Sequence, residues 1–315
     1  MQVAKRKFLD KIIIIGGPTA SGKSTLALKV AQELVNGVII NADAIQLYQG
    51  LDILTAAPTE VEKQKVPHFL YSTIDYKVRY SVAEWLESSV KVINKSLESK
   101  KNPIIVGGTG MYIYNLLNGL REIKDIPVKI SQETSALVSS KGLTYLYLEL
   151  QRSDKNVGDY FSVNDQTRII RAYNLYKAFK LTPSDYRNLP NKEFFPESKF
   201  INLALLPERE LLYKNCNQRF VKMIELGAIE EVNALKAKGA TENDPISKAI
   251  GFKNILNHLD NKGSIEDVIA LGQQETRNFA KRQTTWFKNQ VNENIDNIID
   301  QDMMSLFNKL KDKLC

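Results

Sequence analysis

KIIIIGGPTASGKSTLALKV, residues Lys11 to Val30, sets the β-branched run Ile12 to Ile15 directly against a glycine-rich loop and an amphipathic helical segment. An apolar β-branched run that breaks into glycines reads as a strand buried on both faces. The loop Gly17, Pro18, Thr19, Ala20, Ser21, Gly22, Lys23, Ser24 fits the phosphate-loop pattern G-x-x-x-x-G-K-[ST] at every fixed position. Glycines let the backbone curl so that successive N–H groups point inward, and the following helix N-terminus adds partial positive charge. Lys23 would reach across the cradled anion and Ser24 would ligate a magnesium ion. The expected occupant is a diphosphate or triphosphate, and the loop does not say which.

The whole chain has a globular composition: 315 residues, 43% hydrophobic and 25% charged, enough for a large α/β domain with an elaboration. Lys and Arg number 43 against 36 Asp and Glu, a formal charge of +7 that is compatible with a polyanionic partner without requiring one. The cysteines, Cys216 and Cys315, are isolated, so neither a disulfide framework nor a metal cluster is expected, and a reducing compartment fits. The basic N-terminal residues precede an apolar run too short for a signal peptide, and no stretch approaches a bilayer span. A soluble, cytoplasmic monomer without a membrane partner is expected.

Along the chain, Gly37 to Asp43 reads as a second buried strand ending in a carboxylate. In parallel α/β sheets the carboxyl ends of strands line the ligand crevice, so Asp43 should face the phosphate loop. Ala44 to Pro58 reads as a loop, Val66 to Asp75 as a strand, and Ser81 to Glu84 as a capping box opening a helix to about Lys100. Lys101 to Val106 repeats the buried strand, followed by the turn Gly107, Gly108, Thr109, Gly110 and the apolar helix Met111 to Leu120. That turn can bring backbone close to a ligand and present the Thr109 hydroxyl, or can be a plain tight turn.

From Arg121 to about Pro196 the strand signals fade and charge rises, which reads as a helical insertion. Thr144 to Leu150 alternates like a strand, against that trend. Arg168 and Arg171 share a helix face, either for a ligand or simply solvated. Phe200 to Leu206 restores a buried strand, and the remainder reads as helix to the end: Pro207 to Gly239, Pro245 to Leu259 and Ser264 to Val291. Arg277, Lys281 and Lys288 recur at helical spacing with Trp286 and Phe287 between them. Such a face suits phosphate contacts beside stacking rings, or a solvated helix whose aromatics pack on the core.

Together with the phosphate loop, Asn41-Ala-Asp43, Val106-Gly-Gly-Thr-Gly-Met-Tyr112, Asn164-Asp165, Arg168, Arg171-Ala172, Arg219, Ala249-Ile-Gly251-Phe, Thr276-Arg277 and Ala280-Lys-Arg-Gln283 resemble the bacterial tRNA dimethylallyltransferases (isopentenyltransferases). The match runs in order over nearly the whole chain. The resemblance implies a P-loop NTPase-like parallel sheet flanked by helices, with residues 1–120 and 199–315 as catalytic core and C-terminal helices and 121–198 as a helical insertion contacting tRNA. It also implies transfer of a dimethylallyl group from dimethylallyl diphosphate to the exocyclic amine of the adenosine beside the anticodon, with Mg2+ at Ser24.

On that resemblance Asp43 takes the amine proton, Lys23 and Arg219 neutralise the leaving diphosphate, and Thr109 holds base or donor. Asp43, Ala44, Ile45, Gln46, Thr109, Thr167, Arg168, Arg171, Lys248, Gly251, Arg277, Lys281 and Arg282 become the tRNA contacts, with the anticodon stem-loop as partner. It also makes Thr144 to Leu150 helix. The chain departs from the family pattern at Ala44, where serine is usual, at Ala57, where lysine is usual, and at Phe69, where a second histidine is usual. A nucleotide kinase could use the same loop and aspartate, but it leaves the basic, aromatic C-terminal helix without a purpose.

Overall fold

The computed structural model describes residues 8–34, 36–289 and 297–314. Its strands are β1 (Ile12–Gly16), β2 (Gly37–Asn41), β3 (His68–Phe69), β4 (Asn102–Gly107), β5 (Leu120–Arg121), β6 (Asn191–Lys192), β7 (Phe200–Leu205) and β8 (Asn297–Asp300). Six of them form one sheet in the order β3-β2-β4-β1-β7-β8. Every pairing in that sheet is parallel. All residues of β1, β2 and β4 are buried. This is the two-sided burial that their unbroken apolar runs predict.

Because side chains alternate across a strand, the isoleucines of β1 serve two layers. Ile13 and Ile15 pack with Leu26 and Val30 of the helix Lys23–Glu33 and with Leu306, Phe307 and Leu310 of the helix Met303–Leu314. The opposite face is covered by the helices Val82–Glu98 and Gly110–Asn118. Val82–Glu98 opens with the capping box expected of Ser81 and Glu84. The side chain of Trp85 on that helix is fully buried, donates through Nε1 to the carbonyl of Asn41 at 2.8 Å, and stacks on Tyr112 with ring centroids 4.4 Å apart.

The chain divides into two compact units, residues 1–118 with 193–315, and residues 119–192. The second unit is helical apart from the antiparallel pair β5 and β6. Its core gathers Leu146, Leu150, Val157, Ile169 and Tyr173. Leu146 and Leu150 lie one turn apart on the helix Leu143–Ser153, so the stretch that alternates like a strand is helical. An i, i+4 apolar pair outweighs a seven-residue alternation once there is a core to bury it.

The structure corrects the sequence reading at four places. The helix expected from Pro245 to Leu259 is a 3-10 turn over Pro245–Lys248 and, after Gly251 at φ 86°, the helix Phe252–Leu259. Only His68–Phe69 of the segment Val66 to Asp75 joins the sheet; the remainder turns away, with Leu70 and Ser72 at positive φ. The helix expected from Pro207 to Gly239 breaks at Gly227, whose φ of 105° no helical residue adopts, into Arg209–Glu225 and Ala228–Ala237. The C-terminal part is not all helix, because Asn297–Asp300 adds β8 beside β7. The long helix runs Ile265–Asn289, and Val291, its expected end, lies outside the described residues.

Candidate active site

β1, β2 and β4 end at the same edge of the sheet, and each hands on to a loop that bears a candidate residue. After β1, Gly17 (φ 154°) lies where a Cβ would fall 2.5 Å from the carbonyl oxygen of Leu205, so only glycine lets the loop pass β7. Ala20 sits at φ 61°, a sparsely populated region for a residue with a side chain, held there by packing against Leu212, Cys216 and Ala280. Gly22 (φ 94°) caps the helix Lys23–Glu33 with no side-chain acceptor and no acid in the first turn. The helix therefore presents unsatisfied amides and its positive end to the loop.

Polar groups around the loop await a partner. The hydroxyl of Ser21 and the Nε of Arg219 are buried with no hydrogen-bond partner. Arg219 donates its terminal nitrogen to the Thr19 hydroxyl. Lys23 reaches back to the carbonyl of Pro18 at 3.2 Å. Burial pushes Lys23 down to about 8; the Asp43 carboxylate opposes that shift and the Arg219 guanidinium adds to it. Burial likewise pushes Arg219 down, opposed by Cys216 and Asp43. Unpaired buried donors and two crowded cations form a site whose electrostatics a bound polyanion would satisfy.

Ser24 is exposed and its hydroxyl has no partner among the described residues. No group of three or more His, Cys, Asp or Glu able to hold a metal occurs among those residues. A magnesium ion fits Ser24 only as one that keeps water and takes its other oxygens from a bound diphosphate, the habit of that ion.

After β2, the buried Asn41 fixes the aspartate. Its Oδ1 accepts from the Asp43 amide at 2.7 Å, and its Nδ2 donates to the carbonyls of Asp43 at 2.9 Å and Leu70 at 2.8 Å. Asp43 Oδ1 accepts from the Ile45 amide at 3.0 Å, which leaves Oδ2 without a protein partner among the described residues. The carboxylate is half-buried and its charge reaches Lys23, so the strand-end acid and the phosphate loop meet as the sheet topology requires.

After β4, the Thr109 amide donates to the carbonyl of Ala42 at 3.1 Å and its hydroxyl accepts from the Ala44 amide at 2.9 Å. Thr109 thus joins this turn to the Asp43 loop, a structural role in addition to the ligand role expected of it. Gln46 is occupied too, donating Nε2 to the carbonyls of Thr55 and Ala56 at 2.9 and 3.0 Å.

The remaining candidates fall into two groups. Lys248, Gly251 and Arg282 line one cleft of about 280 Å³ with Lys253, Glu275 and Asn278. Lys281 and Arg282 are exposed beside it on the long helix, whereas Arg277 is half-buried and donates to Asn217 Oδ1 at 2.6 Å. Thr167, Arg168 and Arg171 belong to the other compact unit, exposed on the helix Gln166–Phe179, with Arg168 paired to Asp165 at 3.2 Å. Phe287 and Trp286 are not open stacking surfaces: Phe287 is buried against Gly16 and Trp286 is half-buried against Gly110.

Gln283 has no place among the candidates from sequence, yet it touches both glycine turns. It accepts from the Thr19 amide at 2.7 Å and donates to the Gly108 carbonyl at 2.8 Å. One signal could have found it. Val268, Gly272, Thr276, Ala280, Gln283 and Phe287 form the buried stripe of the long helix, and a glutamine on such a stripe must find partners for its amide.

The profile of the family described as IPP transferase matches residues 46–290. The chain belongs to that family. A tRNA dimethylallyltransferase of Bartonella henselae is 39% identical over 282 residues, covering 90% of this chain and 96% of the relative. One of Rhodospirillum centenum is 38% identical, covering 89% of each. Among solved structures, the tRNA isopentenylpyrophosphate transferase of Bacillus halodurans is 30% identical with a TM-score of 0.67 over 97% of both chains. A eukaryotic dimethylallyltransferase acting on tRNA is 25% identical with a TM-score of 0.79, over 96% of this chain and 77% of that one. The parallel sheet, its phosphate loop and the flanking helices are the family's P-loop-like fold. Among the described residues no helix is long and apolar enough to cross a membrane.

Proposed function

We propose that this chain is a cytoplasmic enzyme that transfers a dimethylallyl group from dimethylallyl diphosphate to the exocyclic amine of the adenosine 3′ to a tRNA anticodon. Relatives named tRNA dimethylallyltransferase, spanning about nine tenths of the chain, support the reaction class. The observation that carries the reading is the meeting of an anion cradle and a tethered carboxylate at one sheet edge, with the charges of Asp43 and Arg219 both acting on Lys23.

The chemistry follows from those residues. The adenine amine attacks the first carbon of the prenyl chain, a new C–N bond forms, and the C–O bond to diphosphate breaks with both electrons leaving on oxygen. The displaced N–H proton goes to Asp43 Oδ2, which Asn41 and the Ile45 amide hold in place. Lys23, Arg219 and the amides at the start of the helix Lys23–Glu33 stabilise the charge that grows on the leaving group. A magnesium ion bound through Ser24 and the diphosphate would add further neutralisation there.

Phosphate contacts from Lys248, Lys281 and Arg282, and from Thr167, Arg168 and Arg171, would position an anticodon stem-loop whose target base leaves its stack. Purified protein is incubated with unmodified tRNA and either labelled dimethylallyl diphosphate or labelled ATP. The expected result is label entering RNA from the prenyl donor alone, recovered as a prenylated adenosine. Label entering only from ATP would replace this reading with a kinase.

A further inference from the structure

The helix Ile265–Asn289 has a second job besides carrying exposed cations. Its residues Gln283, Trp286 and Phe287 lie at i, i+3 and i+4, on one face, and that face closes on the two glycine turns. A Cβ on Gly16 would fall 2.4 Å from the Phe287 ring, one on Gly110 2.3 Å from the Trp286 ring, and one on Gly108 2.2 Å from Gln283 Nε2. A side chain at Gly16, Gly108 or Gly110 would therefore force Phe287, Gln283 or Trp286 to shift. Of the three side chains only Gln283 bonds to the turns, and it is 6% exposed.

Its amide is fully directional: an oxygen that takes the Thr19 N–H and a nitrogen that gives to the Gly108 carbonyl. We infer that Gln283 is a positioning residue that holds the phosphate loop in its anion-binding shape and in register with the Thr109 turn. The Thr19 N–H is thereby removed from the set offered to the anion, so the cradle is made by the amides that follow it. Thr19 is also gripped from its side chain by Arg219, which fixes that guanidinium beside the leaving group. At the far end of the same amide, Gly108 precedes Thr109, whose backbone and hydroxyl tie to Ala42 and Ala44 on either side of the aspartate. One side chain therefore sets the spacing between the diphosphate end and the proton-accepting end of the site, next to the residues Lys281 and Arg282 that face solvent.

The inference rests on the proposed function for its donor, and two measurements keep the two apart. Inorganic pyrophosphate with magnesium is titrated calorimetrically into the native chain and into Gln283→Ala, which is expected to bind it about tenfold more weakly because the loop is no longer pre-shaped. Prenyl transfer to a tRNA transcript is then compared. A misplacement of this kind costs up to about 10²-fold in turnover, with tRNA affinity little changed and the melting temperature lowered by the two polar groups left unpaired.

Gln283→Glu supplies the readout that packing alone would not move. Its carboxyl has the shape of the amide but donates to Gly108 only when protonated. Turnover relative to the native chain should therefore rise as the pH is lowered from about 8 towards 5, across the range where buried carboxyls titrate. Lys23, Asp43 and Arg219 face the site in both proteins and cancel in that ratio. A flat ratio, undiminished pyrophosphate binding by Gln283→Ala, or a loss confined to tRNA affinity would each overturn the assignment. Absence of transfer by the native chain, with pyrophosphate binding intact and sensitive to Gln283, would overturn the reaction and leave the positioning role standing.

Discussion

The sheet sends two glycine turns out of the same edge, one after β1 and one after β4, and they do opposite things. The first ends on Gly22 at the uncapped start of a helix, with Ser21 and Arg219 holding unpartnered polar atoms towards it. The second is largely filled by the protein itself: Gln283 occupies the Gly108 carbonyl, Trp286 covers Gly110, and the Thr109 hydroxyl accepts from the Ala44 amide, its O–H still free to donate for want of an acceptor among the described residues. Similar strand–glycine–helix sequences thus yield an open anion cradle in one place and a closed structural joint in the other. Satisfaction of the backbone separates them: the Gly108 carbonyl and the Thr109 amide of the second turn are already paired, so what that turn can still offer a ligand is the Thr109 O–H.

The largest effect expected from that contrast falls on the open turn. Lys23→Ala removes the charge over the cradle and should lower prenyl transfer on the order of 10³-fold while tRNA binding holds, measured by single-turnover transfer and filter binding. Thr109→Val removes the tie to Ala44 and one O–H donor but no charge, and should cost less; a loss equal to that of Lys23→Ala would erase the distinction between the turns. Asp43→Asn should cost about 10²-fold in turnover, the usual reach of a placed general base, with pyrophosphate affinity unchanged.

Next in size are the glycines. Gly110→Ala drives a methyl group into the Trp286 ring and should destabilise by about 1–3 kcal/mol in chemical denaturation, with recovery when Trp286 is replaced by leucine. Gly22→Ala meets no atom closer than 3.9 Å but must hold a φ of 94°, costing about 1–2 kcal/mol that no second-site replacement restores. Rescue of Gly22→Ala by a neighbour, or failure to rescue Gly110→Ala, would show that the strain has been attributed to the wrong source.

The smallest effect is on pH dependence. Lys23 is lowered from 10.5 to about 8 in the free protein, so it loses its charge as the pH rises through about 8. Donor capture, read as kcat/KM, should therefore fall about tenfold per pH unit above that point. The sign for stability is the reverse: the folded state carries a charged, buried Lys23 below about 8, and that cost fades between about 8 and 10.5, where only the unfolded chain remains protonated. Lys23→Arg should abolish the alkaline limb in kcat/KM. A limb that survives it belongs to another group.

Much of this was legible in residues 11–30, because an isoleucine run, a curl of glycines and a lysine before a hydroxyl have few other uses. Asp43 was legible for the same reason, since parallel strands put their carboxyl ends at the crevice. β8 was not: Asn297 to Asp300 is too short to carry a pattern, and it is a strand because the open edge of β7 pairs its backbone. Gly227 hid inside an otherwise continuous helical stretch, where periodicity outweighs a single residue. The aromatics of the long helix carried two readings until the glycines they cover were seen to leave no space for a base.

The sequence by itself determined the cradle, the strand-end acid and the family, since each depends on residues adjacent in the chain or on patterns of fixed spacing. Only the tertiary structure decided that Gln283 bridges Thr19 and Gly108, 264 and 175 residues away from it, and that Thr109 is a joint as well as a candidate contact. A hydrogen bond between segments so distant leaves no periodicity to read. It exists because folding buries polar atoms that must then pair, and the partners they find depend on the packing of the whole core.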